Sequence, residues 1–193
     1  MVRDFFEDSV AMTEKSVVVD MSCATGLFTR RLATSDKYDR VIGCDYSESM
    51  LSEARRRINS IESEYDTQLD LVRLDVAKIP MRTSSVNALH AGAAMHCWPD
   101  VVAGLSEIYR VLIPGGKYFG STFLSAYFRG LQSAEDLAGG TSNVSDLAKD
   151  SQAFQYFESV DVLKEMLVQA GFQEEKLTID VLGSACVIIK AEK

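Results

Sequence analysis

Three prolines, two histidines and one tryptophan in 193 residues leave few breakers of regular structure and few side chains that titrate near neutrality. The four cysteines, Cys23, Cys44, Cys97 and Cys186, form no C-x-x-C pair and stand far apart. That spacing speaks against a zinc ribbon or a disulfide framework, and it predicts packed, reduced thiols and no metal site. No apolar run approaches the roughly 18 residues that cross a bilayer, so no membrane span is expected. Positive charge is short as well: 20 Lys and Arg stand against 28 Asp and Glu, a net charge of −8. Such a surface repels phosphate backbones, and the one basic cluster, Arg55-Arg56-Arg57, falls on the solvent side of a helix. Nucleic acid is therefore not expected as a partner. No G-x-G-x-x-G occurs, which counts against a nicotinamide dinucleotide oxidoreductase. The opening Met-Val-Arg-Asp-Phe-Phe-Glu-Asp resembles neither a secretory signal nor a transit peptide. The chain is expected either to be cytoplasmic or to lack a targeting segment.

What is present is organised around Val17-Val18-Val19-Asp20-Met21-Ser22-Cys23-Ala24-Thr25-Gly26 and the helical pattern Leu27 to Ala33. A β-branched run that ends in an acid, crosses a loop of small residues and opens a helix presents backbone N–H groups to a ligand above an α/β sheet. A second strand, Arg40 to Cys44, ends at Asp45. Ser47 caps the following helix, with Met50, Leu51, Ala54, Ile58 and Ile61 on one face. Strands are predicted at Leu69 to Leu74 and Val86 to Gly92. Pro99 starts a helix with Val101, Val102, Leu105, Ile108, Tyr109 and Leu112 as apolar positions, and Pro114-Gly115-Gly116 stops it before a strand from Lys117 to Phe123. A short leading helix is predicted at 3–12, with Phe5, Phe6 and Val10 on one side. Strict alternation of strand and helix implies a parallel sheet covered on both faces.

From Leu124 to Phe157 the rhythm is lost, and so long a connection reads as a cap inserted into a single domain spanning 1–193. Its aromatics Tyr127, Phe128, Phe154, Tyr156 and Phe157 either line a substrate pocket or anchor the cap. The chain closes with a helix from Val160 to Ala170, ended by Gly171, and strands at Lys176 to Leu182 and Ala185 to Lys190. Only Gly183-Ser184 joins these strands, and a two-residue connection joins antiparallel neighbours. The expected class is α/β: a Rossmann-like, mostly parallel seven-stranded sheet whose last strand is antiparallel, with helices on both faces.

In such a sheet ligands bind outside the carboxyl ends of the strands, and four of these ends carry suitable residues. They are Asp20 with the Ser22 to Gly26 loop, Asp45, Asp75, and the run Ala93 to Trp98. Each acid has a plainer reading as a turn former or helix cap.

Asp-x-Ser-Cys-Ala-Thr-Gly resembles the cofactor loop Asp-x-Gly-x-Gly-x-Gly of class I S-adenosylmethionine-dependent methyltransferases, with Ser22 and Ala24 at glycine positions and Gly26 kept. The resemblance extends through Val41 to Leu51, Asp75 to Pro80 and Arg110 to Gly116, and so over about residues 17–123. Within the family it is nearest to a plant and algal group of plastid-associated enzymes related to quinone-ring methylases. In that group a Ser also stands at the first glycine position, and a run like His90 to Pro99 follows strand four. Asn87 stands where relatives commonly carry Asp.

The resemblance implies S-adenosylmethionine as cofactor and a small-molecule acceptor of the quinone, phenol or lipid-like kind; plastid residence is implied on the same ground. The loop Ser22, Cys23, Ala24, Thr25 and Gly26 would hold the methionine tail, with Thr25 as a helix cap. Asp20 would attract the amino group or pin the loop. Asp45, 19 residues beyond Gly26, would accept from the ribose hydroxyls, with Tyr46 and Met50 beside it. Asp75 and Val76 would meet the adenine, aided by Ile79, Pro80 and Met81, and Ala93 completes the set. Ala24 is strained if its φ is positive. If the acceptor is a phenol, enol or thiol a base assists, and His96 is the candidate because its ordinary pKa lies near neutrality; its alternative is to orient the loop. His90 reads as a hydrogen-bonded core residue. A different class remains open, a non-catalytic binding or scaffold protein on the same fold.

Overall fold

The computed structural model describes residues 16–35, 37–60, 66–125, 157–183 and 186–193. The expected helix at 3–12 with Phe5, Phe6 and Val10 lies outside them, as do Ile61, Tyr127, Phe128, Phe154, Tyr156 and Ser184.

The elements run β1 (Val17–Met21), α1 (Leu27–Ala33), β2 (Arg40–Asp45), α2 (Glu48–Asn59), β3 (Gln68–Arg73) and β4 (Val86–Ala91). They continue with α3 (Val101–Val111), β5 (Leu112–Phe123), α4 (Val160–Gln169), β6 (Leu177–Leu182) and β7 (Cys186–Glu192). One seven-stranded sheet has the order β3-β2-β1-β4-β5-β7-β6. β1 to β5 are parallel, and β7 runs against both β5 and β6, as the short connection after Leu182 requires. From β1 the chain winds outward through β2 and β3, then returns to lay β4 on the other side of β1. The switch point, where such sheets bind ligands, thus lies between β1 and β4.

Val18 and Val19 are both fully buried, because the parallel sheet is covered on both faces. On one face Leu32 and Ala33 of α1 pack with Val18, Tyr38, Val41 and Ala88. The larger core, on the other, holds Leu105 and Ile108 of α3 and Leu163 and Leu167 of α4.

Four local expectations are corrected. Met50 does not belong to the buried face of α2; it is 42% exposed, while Leu51, Ala54 and Ile58 are buried. Asp100 rather than Pro99 begins α3, since its carboxylate accepts from the Ala103 N–H at 2.9 Å. Pro114-Gly115-Gly116 does not stop a helix ahead of a strand. Leu112 already pairs with Val86, and the register jumps so that Ala88 meets Lys117. The tripeptide is an irregularity within β5, with Gly115 at φ 75, and its backbone bonds to Lys193. Alternation also fails between β3 and β4, where no helix stands among the described residues. The α3 side chains hold this connection instead. Arg110 donates to the carbonyls of Ile79 and Met81 at 2.8 and 2.9 Å, and Glu107 accepts from the Ile79 N–H at 2.8 Å.

The long segment after β5 leaves and returns at one place: Leu124 bridges to Phe157, and the Ser125 N–H donates to the Phe157 carbonyl. Phe157 is buried in the larger core, so of its two readings the anchoring one holds.

Candidate functional site

Where β1 ends, Ser22, Ala24 and Gly26 take left-handed backbone angles, φ 57, 47 and 75. Only the last is glycine, so the loop keeps a glycine-type path at two non-glycine positions, a strain that persists only where neighbours hold it. Each of them is held. The Cys23 N–H donates to the Cys44 carbonyl at 2.9 Å and the Ala24 N–H to Asp45 Oδ2 at 2.8 Å. The indole N–H of Trp98 donates to Ser22 Oγ at 3.0 Å. A Cβ on Gly26 would stand 3.2 Å from Ala54 Cβ, so α1 and α2 close on this point. The N-cap of α1 is Gly26, not Thr25 as expected; Thr25 is half-buried beside it.

Asp45 is the hinge of the site. Its Oδ1 accepts from the Ser47 N–H at 2.8 Å, while Oδ2 holds Ala24, so one carboxylate joins the loop after β1 to the start of α2. Around it Leu27, Tyr46 and Met50 are exposed, Tyr46 by 70%. The Arg73 guanidinium lies 5.6 Å from the Tyr46 ring centroid. These are apolar surfaces left at the carboxyl end of the sheet while the core buries its own.

Asp75 is exposed and its Oδ1 accepts from the Ala77 N–H at 2.9 Å, so it is a turn former whatever else it does. Val76 and Ile79 are buried in the larger core; Val76 packs on Gly104. Their side chains are thereby spent on packing, and the apolar contact expected of Ile79 is corrected. Pro80 remains exposed and Met81 half-buried.

Asp20 faces inward. Thr29 Oγ1 donates to its Oδ2 at 2.5 Å and His90 Nδ1 lies 2.7 Å from its Oδ1. It acts on α1 and β4 rather than on the loop N–H groups. His90 is the buried hydrogen-bonded residue expected.

Beyond β4, Ala93 is exposed with φ 50, and its N–H donates to Ser121 Oγ at 2.8 Å. His96 sits in the 3-10 turn Met95–Cys97, with Nδ1 3.3 Å from Thr122 Oγ1 and its ring edge-on to Phe123. Burial lowers its pKa, so the imidazole is neutral at physiological pH. Cys23 is pushed up to about 12 by burial and by the nearby Asp20 and Asp45 carboxylates, so its thiol is no nucleophile. Among the described residues no group of three or more His, Cys, Asp or Glu is placed to hold a metal ion.

The structure thus gathers Ser22 to Gly26, Asp45, Tyr46 and Met50 around one end of β1 and β2. Ala93 and His96 lie on the β4–β5 side, with Trp98 bridging the two. Thr29, Ser121 and Thr122 were missed. The signal for Ser121 and Thr122 was available, since they are the carboxyl end of a fifth strand.

The methyltransferase domain family matches residues 19–120. An uncharacterized chloroplastic methyltransferase of Arabidopsis thaliana is 43% identical over 125 residues, 64% of this chain and 34% of that protein. A second one is matched over 30% of its length, so the chain spans about a third of these plant relatives. The demethylmenaquinone methyltransferase of Lactobacillus johnsonii is 31% identical across 91% of this chain and 75% of its own. Among solved structures, an S-adenosylmethionine-dependent methyltransferase from Mesorhizobium loti superposes with a TM-score of 0.67 at 19% identity, covering 94% of both chains. At that identity the likeness speaks for the fold alone.

Proposed function

The chain belongs to the class I S-adenosylmethionine-dependent methyltransferases, and from that premise we propose that it moves a methyl group to a small-molecule acceptor, with a reduced quinone ring the favoured class. The names of its relatives, demethylmenaquinone methyltransferase and 2-phytyl-1,4-naphtoquinone methyltransferase, support the acceptor class. The observation that carries the reading is Asp45 tied to the Ser22–Gly26 loop at the switch-point end of the sheet.

The residues fit the cofactor. Asp45 offers carboxylate lone pairs to the ribose hydroxyls, and Tyr46 and Met50 offer exposed apolar surface to the adenosine. The Asp75–Val76 backbone stands at the adenine edge, and the left-handed loop brings its main chain to the methionine tail. Ala93 closes the site from the β4 side. Asp20 acts from below by fixing α1 and β4. Bound there, S-adenosylmethionine supplies an electrophilic methyl carbon on a sulfonium. The chain's own part is to align the acceptor in line with the carbon–sulfur bond, to exclude water and to take a proton. His96, neutral and at the β5 side, is one candidate for that proton.

One domain over 1–193, with 124–157 inserted as a cap, is the architecture we favour. The bridge Leu124–Phe157 supports it, because the segment departs from the carboxyl end of β5. Among the described residues no helix is long and apolar enough to cross a membrane. Plastid residence is supported by the chloroplastic relatives. Transfer of labelled methyl from S-adenosylmethionine to 1,4-dihydroxynaphthalene, kept reduced, tests the reading. Label in the reduced but not the oxidised compound is expected. Cofactor binding with no transfer to any phenol or quinol would favour the non-catalytic reading, for which the strain at Ala24 is the motivating observation.

A further inference from the structure

Asp20 and His90 are register partners on β1 and β4, the two strands that flank the switch point. Asp20 receives two donors, Thr29 Oγ1 and His90 Nδ1. An ionised carboxylate can only accept, so the imidazole proton sits on Nδ1 and the lone pair on Nε2. The ring is fixed by Phe28 of α1, centroids 4.5 Å apart, and Phe119 of β5, 5.9 Å apart. Asp20 of β1 is the charged group facing it.

Nε2 has no hydrogen-bond partner among the described residues. It lies 3.2 Å from where a Cβ on Gly92 would stand, and Gly92 is the first residue beyond β4. Gly92 follows β4 as Ser22 follows β1, and the two strands are paired up to Asp20 and His90. The one nitrogen that Asp20 leaves without a proton lies at the carboxyl end of β4 beneath Gly92, on a side chain that is 2% exposed. His96 differs on both counts. Its Nδ1 faces a hydroxyl rather than a carboxylate, and by strand alternation Thr122 lies on the face opposite to Phe119 and His90.

We propose that His90 is the catalytic base and Asp20 its positioning residue, an inference that rests on the methyl-transfer reading above. An acceptor O–H gives its proton to His90 Nε2. The pair it leaves, on oxygen or passed through the ring to carbon, forms the bond to the methyl carbon. The carbon–sulfur bond breaks with its electrons retained by sulfur, which becomes a neutral thioether. The positive charge lost from sulfur reappears on an imidazolium 2.7 Å from Asp20, which stabilises it. The proton then passes to water as product leaves.

The chain has two histidines, so its imidazole ¹⁵N spectrum holds two sets of signals, which His96→Gln assigns. The probes are S-adenosylhomocysteine, which lacks the methyl, and sinefungin, which carries an ammonium in its place. With wild-type protein, sinefungin is expected to shift the His90 Nε2 resonance by more than S-adenosylhomocysteine does. His96 should move less. Asp20→Asn should shift the proton toward Nε2 and remove the difference. The decisive comparison uses wild type, so it stands even if that variant folds poorly. Equal responses of His90 to both ligands would assign it to the amino-acid tail, and no response would make it a packing residue; either overturns the proposal, as does a larger response at His96. Calorimetry separates the two levels: if neither ligand binds, the methyltransferase reading itself fails.

Discussion

At Ala24 the left-handed backbone, φ 47, sets the methyl against the following carbonyl, a conformation that costs an L residue about 1–2 kcal/mol. Ala24→Gly relieves this, less the extra freedom glycine has when unfolded, and is expected to raise stability by about 0.5–1 kcal/mol in urea denaturation. Ser22→Gly should gain nothing, because it also removes the acceptor of the Trp98 indole N–H. His96 gives a pH signature. Its folded pKa is lowered by burial, so as pH falls through the unfolded value near 6.5 the unfolded chain takes up a proton that the folded chain refuses. Stability should therefore fall from pH 7.5 to 5.5, and His96→Gln should flatten that slope. At this scale the acids were legible, since Asp45 follows a β-branched run at the right spacing. The partners of Asp20 and Ser22 were not, because Thr29 meets Asp20 only when α1 folds back on β1, and His90 and Trp98 arrive only once β4 is laid beside β1.

Elements followed the sequence wherever hydrophobic periodicity met a chemical stop. α1 kept its expected ends, and β7 reversed because so short a connection, three residues between Leu182 and Cys186, allows nothing else. The connection from β3 to β4 departed from alternation for a reason that periodicity cannot reveal. Two side chains of α3 satisfy its backbone groups, so it needs no helix of its own. Hydrogen bonds to a charged group contribute about 1.5–3 kcal/mol each. Arg110→Met removes those to Ile79 and Met81 and releases Glu107 from its ion pair. Because the guanidinium is one-third exposed, the loss is below that of two buried bonds, about 2–3 kcal/mol, and hydrogen exchange at the Ile79 amide should speed up. Unchanged exchange there would show that the loop holds itself. The irregularity at Pro114–Gly116 was hidden for a similar reason: a Pro-Gly-Gly run reads as a stop, and only the distant Lys193 reveals it as part of β5.

For the molecule as a whole, alternation, short connections and the lack of positive charge sufficed to give the sheet, its reversed last strand and the end at which to seek the site. They did not reveal how two loops are joined across the switch point by Asp45, Trp98 and the Asp20–His90 pair, which are facts of tertiary register. The central claim is that this end of the sheet holds S-adenosylmethionine, and calorimetric titration with S-adenosylhomocysteine, on wild type and Asp45→Ala, tests it most directly. The account predicts micromolar binding to wild type and at least about a tenfold loss, about 1.4 kcal/mol, in a variant that keeps its fold by circular dichroism. Wild-type protein that gives no binding heat, or a variant that binds as tightly as wild type, would contradict it.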